Sequence, residues 1–98
     1  MMKIDILAIG AHPDDVELSC SGTIAKEIAN GKQVAILDLT QGELGTRGSA
    51  EIRANEAGKA AKILGVTARY NLNFPDGFFK NNKENQLKLV TYIRLLKP

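Results

Sequence analysis

Apolar and polar positions along the chain fall into two alternating patterns. Three short apolar runs predict β-strands, and the first is nearly continuous, as in strands buried on both faces of a parallel sheet. They cover residues 3–9, 34–39 and 66–72. Three longer stretches repeat apolar residues every three or four positions, which predicts helices. They run from Asp14 or Asp15 to 29, from 49 to 64 and from 83 to 96.

The order β-α-β-α-β-α predicts an α/β fold with a parallel sheet and right-handed crossovers. We expect a Rossmann-like sheet with helices on both faces. In the common doubly wound order 3-2-1-4-5-6, strand 1 is central and its second neighbour is strand 4. Only three strands are predicted here. Residues 1–98 are therefore expected to form the N-terminal half of one larger domain, a βαβαβα unit.

The small residues of the second helix suggest that it packs closely on the sheet. Their side chains fall on one helical face and leave room for a short interaxial distance. They are Ala54, Ala57, Gly58 and Ala61.

Composition narrows the class of partner. Thirteen basic and eleven acidic residues give a net charge of +2, which is too small to suggest nucleic acid. The single cysteine, Cys20, excludes an internal disulfide and lies on the apolar face of the first helix. No apolar run approaches the roughly 20 residues needed to cross a bilayer. We expect a cytoplasmic protein with no nucleic-acid or membrane partner.

Polar residues with metal-binding chemistry follow the first strand directly. His12, Pro13, Asp14 and Asp15 stand between that strand and the first helix. Imidazole and carboxylate are zinc ligands, and a second carboxylate could take a proton from a zinc-activated water. The acids could instead simply cap the helix, with His12 an ordinary loop residue. The spacing alone leaves both interpretations open.

Charged residues in and after the next loops should meet the first loop, because the carboxyl ends of parallel strands share one edge of the sheet. They are Glu43, Arg47, Arg53 and Asp76. Arginine suits planar acceptors, and aspartate suits paired hydroxyls. Other interpretations remain. The arginines could form surface ion pairs with neighbouring glutamates, and Asp76 could be a plain turn residue.

Three motifs resemble those of the PIG-L/LmbE-like zinc-dependent deacetylases. The first is Ala11-His12-Pro13-Asp14-Asp15, followed by Glu17. The second is Thr40-Gln41-Gly42-Glu43 with Gly45-Thr46-Arg47-Gly48. The third is Glu51-Ile52-Arg53 with Glu56 and the helix ending at Leu64-Gly65-Val66. Within the family, the chain is most similar to the bacillithiol biosynthesis deacetylases, which act on N-acetylglucosaminyl malate.

The resemblance implies a role for each of six residues. His12 and Asp15 correspond to two ligands of a Zn²⁺ ion, with Fe²⁺ as an alternative metal. Asp14 corresponds to the general base that activates water. Substrate-binding roles are implied for Arg53, for Asp76 at sugar hydroxyls and for Glu43 near the substrate. The expected partner is a small N-acetylglucosaminyl substrate, and the expected assembly is a homo-oligomer.

One part of the family's site is not found in this sequence. The family completes its metal site with a histidine that follows the fourth strand, whereas His12 is the only histidine here. The third ligand is therefore expected beyond Pro98. We accordingly expect the 98-residue segment alone to be inactive and the full-length protein to be active.

Two other functions are consistent with parts of the pattern. In a receiver-like signalling module, Asp14 and Asp15 would bind Mg²⁺ beside a phosphoacceptor such as Asp76, but His12 and the glycine-rich loop would have no role. A non-catalytic sugar-binding or assembly domain would keep the fold without the chemistry.

Overall fold

The computed structural model describes residues 3–46 and 48–98. Six elements follow in the predicted order: β1 (Ile6–Gly10), α1 (Asp15–Ala29), β2 (Val34–Thr40), α2 (Ala50–Leu64), β3 (Ala68–Phe74) and α3 (Lys83–Leu96). β1 begins three residues later than predicted. The backbone N–H of Ile4 donates to the end of α3 at Leu96, and Asp5 bonds to Gln33 through both its backbone and its carboxylate, so this segment lies outside the ladder.

The three strands form one parallel sheet in the order β1-β2-β3. This is the 3-2-1 portion of the doubly wound order, so the predicted α/β fold is confirmed. Ile6 pairs with Val34, and Ala35 pairs with Ala68. The central strand β2 is the most buried, as its continuous apolar run predicts.

Helices cover both faces of the sheet because successive strand residues point in opposite directions. On one face, α1 packs against the central strand in a buried cluster of Val16, Ile24, Val34 and Ile36. On the other face, Leu96 of α3 packs with Ile4 and Ala35. The predicted arrangement of helices is therefore confirmed, and it leaves the carboxyl edge of the sheet to the loops.

The apolar stripe predicted for α1 is also confirmed. Cys20 and Ile28 pack against the cluster around Val16 and Ile24. The helix is kinked at Cys20, whose φ and ψ are −143° and 20°. Among residues 3–46 and 48–98, no helix combines the length and apolarity that crossing a bilayer requires.

The close packing predicted for α2 is wrong. The two ends of α2 lie where the sequence predicts them. The Ser49 hydroxyl accepts the Ile52 N–H at the start, and Gly65 ends the helix at a φ of 82°. However, none of its fifteen residues is fully buried, and Ala54 and Gly58 are exposed. A groove of about 200 Å³ lies between these small residues and the strands. The Arg69 side chain also lines this groove and donates to the Ala57 carbonyl of α2, so it lies between the helix and the sheet.

Arg69 on β3 is the centre of a buried ion-pair network that joins the sheet to α1 and α2. All five N–H donors of its guanidinium make hydrogen bonds. They bond to both carboxylate oxygens of Asp38 on β2, to both carboxylate oxygens of Glu17 on α1 and to the Ala57 carbonyl of α2, at 2.7–3.3 Å. The side chains of Arg69 and Asp38 are only 8% and 2% exposed.

The pKa values of this network reflect both burial and pairing. Burial raises the pKa of Asp38, and its hydrogen bond with Arg69 only partly offsets the effect. Burial by itself would lower the pKa of Arg69, but the hydrogen bonds to Asp38 and Glu17 outweigh it and raise that pKa. Each charge is therefore tolerated only because its partner is present.

Arg69→Met is expected to lower the unfolding free energy of the intact protein by about 3–5 kcal/mol, because it leaves Asp38 buried without a partner. Denaturant titration measures this loss. Arg94→Met makes the same chemical change on the exposed surface of α3 and should cost less than about 1 kcal/mol. Equal losses in the two variants would contradict a structural role for the network.

Candidate active site at the carboxyl edge of the sheet

The loop between β1 and α1 folds back on itself through Asp15. One oxygen of that carboxylate, Oδ2, accepts the backbone N–H of His12 at 3.0 Å and lies 3.3 Å from Nδ1 of the His12 ring. The two side chains are 43% and 46% exposed, so both can be reached from solvent. The loop thus holds an imidazole and a carboxylate side by side.

Asp14 occupies the cap position of α1, but its side chain makes no capping hydrogen bond within the described part of the chain. Its φ is 102°, a backbone conformation that L-residues rarely adopt. Such strain costs roughly 1–3 kcal/mol and tends to occur at functional sites. The helix-cap interpretation therefore fails for Asp14, whose carboxylate is 53% exposed and faces Arg53.

Arg53 joins α2 to the first two loops. Its Nη2 lies 3.5 Å from Oδ2 of Asp14, and its Nη1 donates to the Gly42 carbonyl at 3.2 Å. Gly42 has a φ of 66°, and a Cβ built there would collide with Nη1 of Arg53. Glycine at this position therefore allows the loop after β2 to lie directly on the guanidinium.

Asp76, in the turn after β3, bonds to both of the other loops. Its Oδ1 lies 2.8 Å from Nε2 of His12, and its Oδ2 accepts the Leu44 N–H at 2.9 Å. In return, the Asp76 N–H donates to Oε2 of Glu43 at 3.0 Å. Only 8% of the Asp76 side chain is exposed.

The hydrogen bond from Leu44 lowers the pKa of Asp76 below its ordinary value. Burial acts in the opposite direction, but His12 and Arg53 reinforce the lowering. Asp76 is therefore a carboxylate, and so an acceptor only, throughout the neutral pH range.

The three loops enclose an open cleft of about 500 Å³. Five of the six residues to which the family resemblance gives a role line it: His12, Asp14, Asp15, Arg53 and Asp76. Glu43 lies beside the cleft, bonded to the backbone of Asp76. Arg47 lies outside the described residues.

Sequence reasoning missed two leucines and an arginine. Leu18 and Leu44 form an apolar part of the cleft wall, and they are 86% and 60% exposed. An apolar residue inside the polar Gly42–Gly45 loop was the available signal for Leu44. Arg69, which lines the groove against α2, could have been noticed as a charge within a predicted strand.

The donor atoms of His12 and Asp15 fit one side of a zinc site. With Zn–N and Zn–O bonds near 2.0–2.2 Å, two ligands of a tetrahedral ion lie roughly 3.3–3.5 Å apart. Nδ1 of His12 and Oδ2 of Asp15 are 3.3 Å apart. Within residues 3–46 and 48–98, no group of three His, Cys, Asp or Glu side chains is arranged to hold a metal ion. These residues thus offer a matched pair of ligands.

The fold is a parallel α/β domain. Its cleft, at the carboxyl edge of the sheet, is lined by acids, a histidine and an arginine, as in an α/β enzyme that binds its ligand at this edge. The chain belongs to the PIG-L family, whose model, described as GlcNAc-PI de-N-acetylase, matches residues 7–98. Family membership excludes the receiver-like alternative and agrees with the motifs found in the sequence.

Known proteins support the assignment. The chain is 45% identical over 71 residues to the uncharacterized deacetylase YaiS of Escherichia coli, covering 72% of this chain and 38% of YaiS. It is 35% identical over 100 residues to diacetylchitobiose deacetylase of Thermococcus kodakarensis, covering 95% of this chain and 38% of that enzyme.

Among solved structures, the conserved protein TT1542 from Thermus thermophilus superposes with a TM-score of 0.91 at 46% identity. The match covers 97% of this chain and 43% of TT1542. The chain thus spans about two fifths of the length of the relatives it matches.

Gly42→Ala is expected to destabilise the intact protein and to displace Arg53, because the added methyl group collides with the guanidinium at a positive φ. Gly58→Ala is the matched control, since a Cβ there meets nothing within 4 Å and the site is mid-helix. That change should stabilise the protein by about 0.5–1 kcal/mol. Thermal unfolding of both variants checks the opposite signs, and two changes of the same sign would contradict the packing described.

Glu43→Ala is expected to speed hydrogen exchange at the Asp76 amide, because it removes the acceptor of that N–H. Glu43→Gln keeps a side-chain carbonyl oxygen and should retain most of the protection. Amide exchange followed by NMR or mass spectrometry tests this. Loss of protection in the glutamine variant would show that the negative charge, rather than the acceptor, is required.

Proposed function

We propose that the intact protein is a metal-dependent N-deacetylase that removes the acetyl group from an N-acetylglucosamine conjugate. The observation that carries the proposal is Asp14. Its carboxylate is not used to cap α1, and a strained backbone holds it beside the paired donors His12 and Asp15. The family description and the deacetylases among the relatives support this chemistry.

His12 and Asp15 would hold the Zn²⁺ ion, which supplies Lewis acidity toward the acetamide carbonyl and the attacking water. Asp14 takes a proton from that water as its oxygen bonds to the carbonyl carbon. The C–N bond then breaks, the amine leaves with a proton, and acetate is released. In this proposal Asp14 receives that proton and returns it to the leaving amine.

Other residues of the cleft bind and orient the substrate in this proposal. Arg53 holds the Asp14 carboxylate from one side and offers a guanidinium to planar acceptors. Asp76, which lines the cleft, is the residue that the family resemblance implies for sugar hydroxyls. Leu18 and Leu44 offer an apolar wall for the C–H face of a sugar ring.

The proposal of a particular substrate rests on the sequence motifs. We propose N-acetylglucosaminyl malate, of bacillithiol biosynthesis, as the first substrate to test, because the motifs of the sequence resemble those of that branch and Arg53 suits a carboxylate-bearing aglycone. Zn²⁺ or Fe²⁺ as the metal, a homo-oligomeric assembly and a cytoplasmic location remain predictions.

Acetate release from N-acetylglucosaminyl malate by the intact, zinc-loaded protein tests the proposal. Asp14→Asn is expected to lower kcat by about 10²–10⁴-fold, the contribution of a general base. Glu84→Gln, an equivalent change on the exposed surface of α3, should leave kcat unchanged. Chelation should abolish the activity, and Zn²⁺ should restore it.

Two outcomes would contradict the proposed function. Full activity in Asp14→Asn would remove the base from the mechanism. A wild-type protein that binds the conjugate without releasing acetate would favour the non-catalytic sugar-binding alternative.

A further inference from the structure

The two ring nitrogens of His12 face different carboxylates in different ways. Nε2 lies 2.8 Å from Oδ1 of Asp76, in hydrogen-bond geometry. Nδ1 lies 3.3 Å from Oδ2 of Asp15, an oxygen that already accepts the backbone N–H of His12. The closer and better-formed contact is therefore the one to Asp76.

Asp76, the hydrogen-bond partner of Nε2, decides which ring nitrogen of a neutral imidazole carries the proton. An ionised carboxylate can only accept hydrogen bonds, so Nε2 must be the nitrogen that donates. Nδ1 then carries the free lone pair, and it points toward Asp15. Only a nitrogen with a free lone pair can bind a metal ion.

Asp76 is itself held firmly enough to impose this choice. Its second oxygen accepts the Leu44 N–H, and its own N–H donates to Glu43, so neither the carboxylate nor the turn that carries it is free to rotate. It comes from the turn after β3, 64 residues from His12 in sequence.

We propose that Asp76 is a positioning residue that fixes the Nε2–H tautomer of His12 and presents Nδ1 as the metal ligand beside Asp15. This inference rests on the proposed metal-dependent function. It assigns Asp76 a task distinct from the sugar-hydroxyl binding implied by the family resemblance. Carboxylates that orient metal-binding histidines in this way are common in metal sites.

The decisive variant is Asp76→Asn, because an amide has a single acceptor oxygen where the carboxylate has two. With that oxygen on the Leu44 N–H, the NH₂ group faces Nε2 and forces it to accept. The ring then adopts the opposite, Nδ1–H tautomer. Asp5→Asn is the matched control, since Asp5 also accepts a backbone N–H, from Gln33, but at the far end of β1.

Two measurements are made on the intact protein. The first is ¹⁵N NMR of the His12 ring in the metal-free state at about pH 9, where free imidazole is neutral. Wild type and Asp5→Asn should show the Nε2–H tautomer, and Asp76→Asn should show the Nδ1–H tautomer. The second is Zn²⁺ affinity by chelator competition, which should fall about 10–100-fold in Asp76→Asn alone.

The wild-type tautomer decides the inference even if the variant fails to fold, because an Nδ1–H ring in wild type would overturn it. An Asp76→Asn protein with unchanged tautomer and unchanged Zn²⁺ affinity but a raised KM would also overturn it, and would favour a role in sugar binding alone. Absence of deacetylation in wild type contradicts the proposed function, whereas the tautomer and metal measurements still decide the role of Asp76.

Discussion

The five hydrogen bonds of Arg69 are the constraint on which the rest of the structure depends. One guanidinium bonds to the central strand, to α1 and to α2. Its partner Glu17 lies two residues after Asp15. Its other partner, Asp38, lies two residues before Thr40. Thr40 in turn donates to the Ala11 carbonyl through both its backbone N–H and its hydroxyl. The loops of the cleft therefore begin from points that this network fixes. A buried ion pair adds little net stability over apolar groups of the same shape, but removing one of its partners leaves an uncompensated buried charge.

At the carboxyl edge of the sheet, Asp76 connects the three loops that follow the strands. Its carboxylate reaches His12 and Leu44, and its backbone reaches Glu43. Hydrogen bonds between loops replace the regular ladder at the edge of the sheet, where β2 and β3 are already irregular between Asp38 and Thr40. The positions of the cleft residues are thus set by contacts far apart in sequence.

Much of the fold could be predicted because its signals are local. The alternation of apolar runs and helical repeats determined the element order, and parallel strands required the loops after His12, Glu43 and Asp76 to converge. Side-chain contacts between residues far apart in sequence could not be predicted in the same way. Arg69 meets Glu17 across 52 positions, and no periodicity in the sequence indicates such a pair. The prediction for α2 failed for the same reason, since small residues suggest close packing unless a long side chain fills the gap.

The strained backbone at Asp14 lowers the stability of the folded protein, while the Asp14 side chain is the one proposed to act in catalysis. A residue without a Cβ would adopt a φ of 102° with less strain, so glycine at this position would relieve a cost that aspartate imposes on the folded state. If Asp14 is the base, stability and activity make opposite demands on one residue. Selection of this chain for thermal stability alone would then favour sequences that have lost the group needed for turnover.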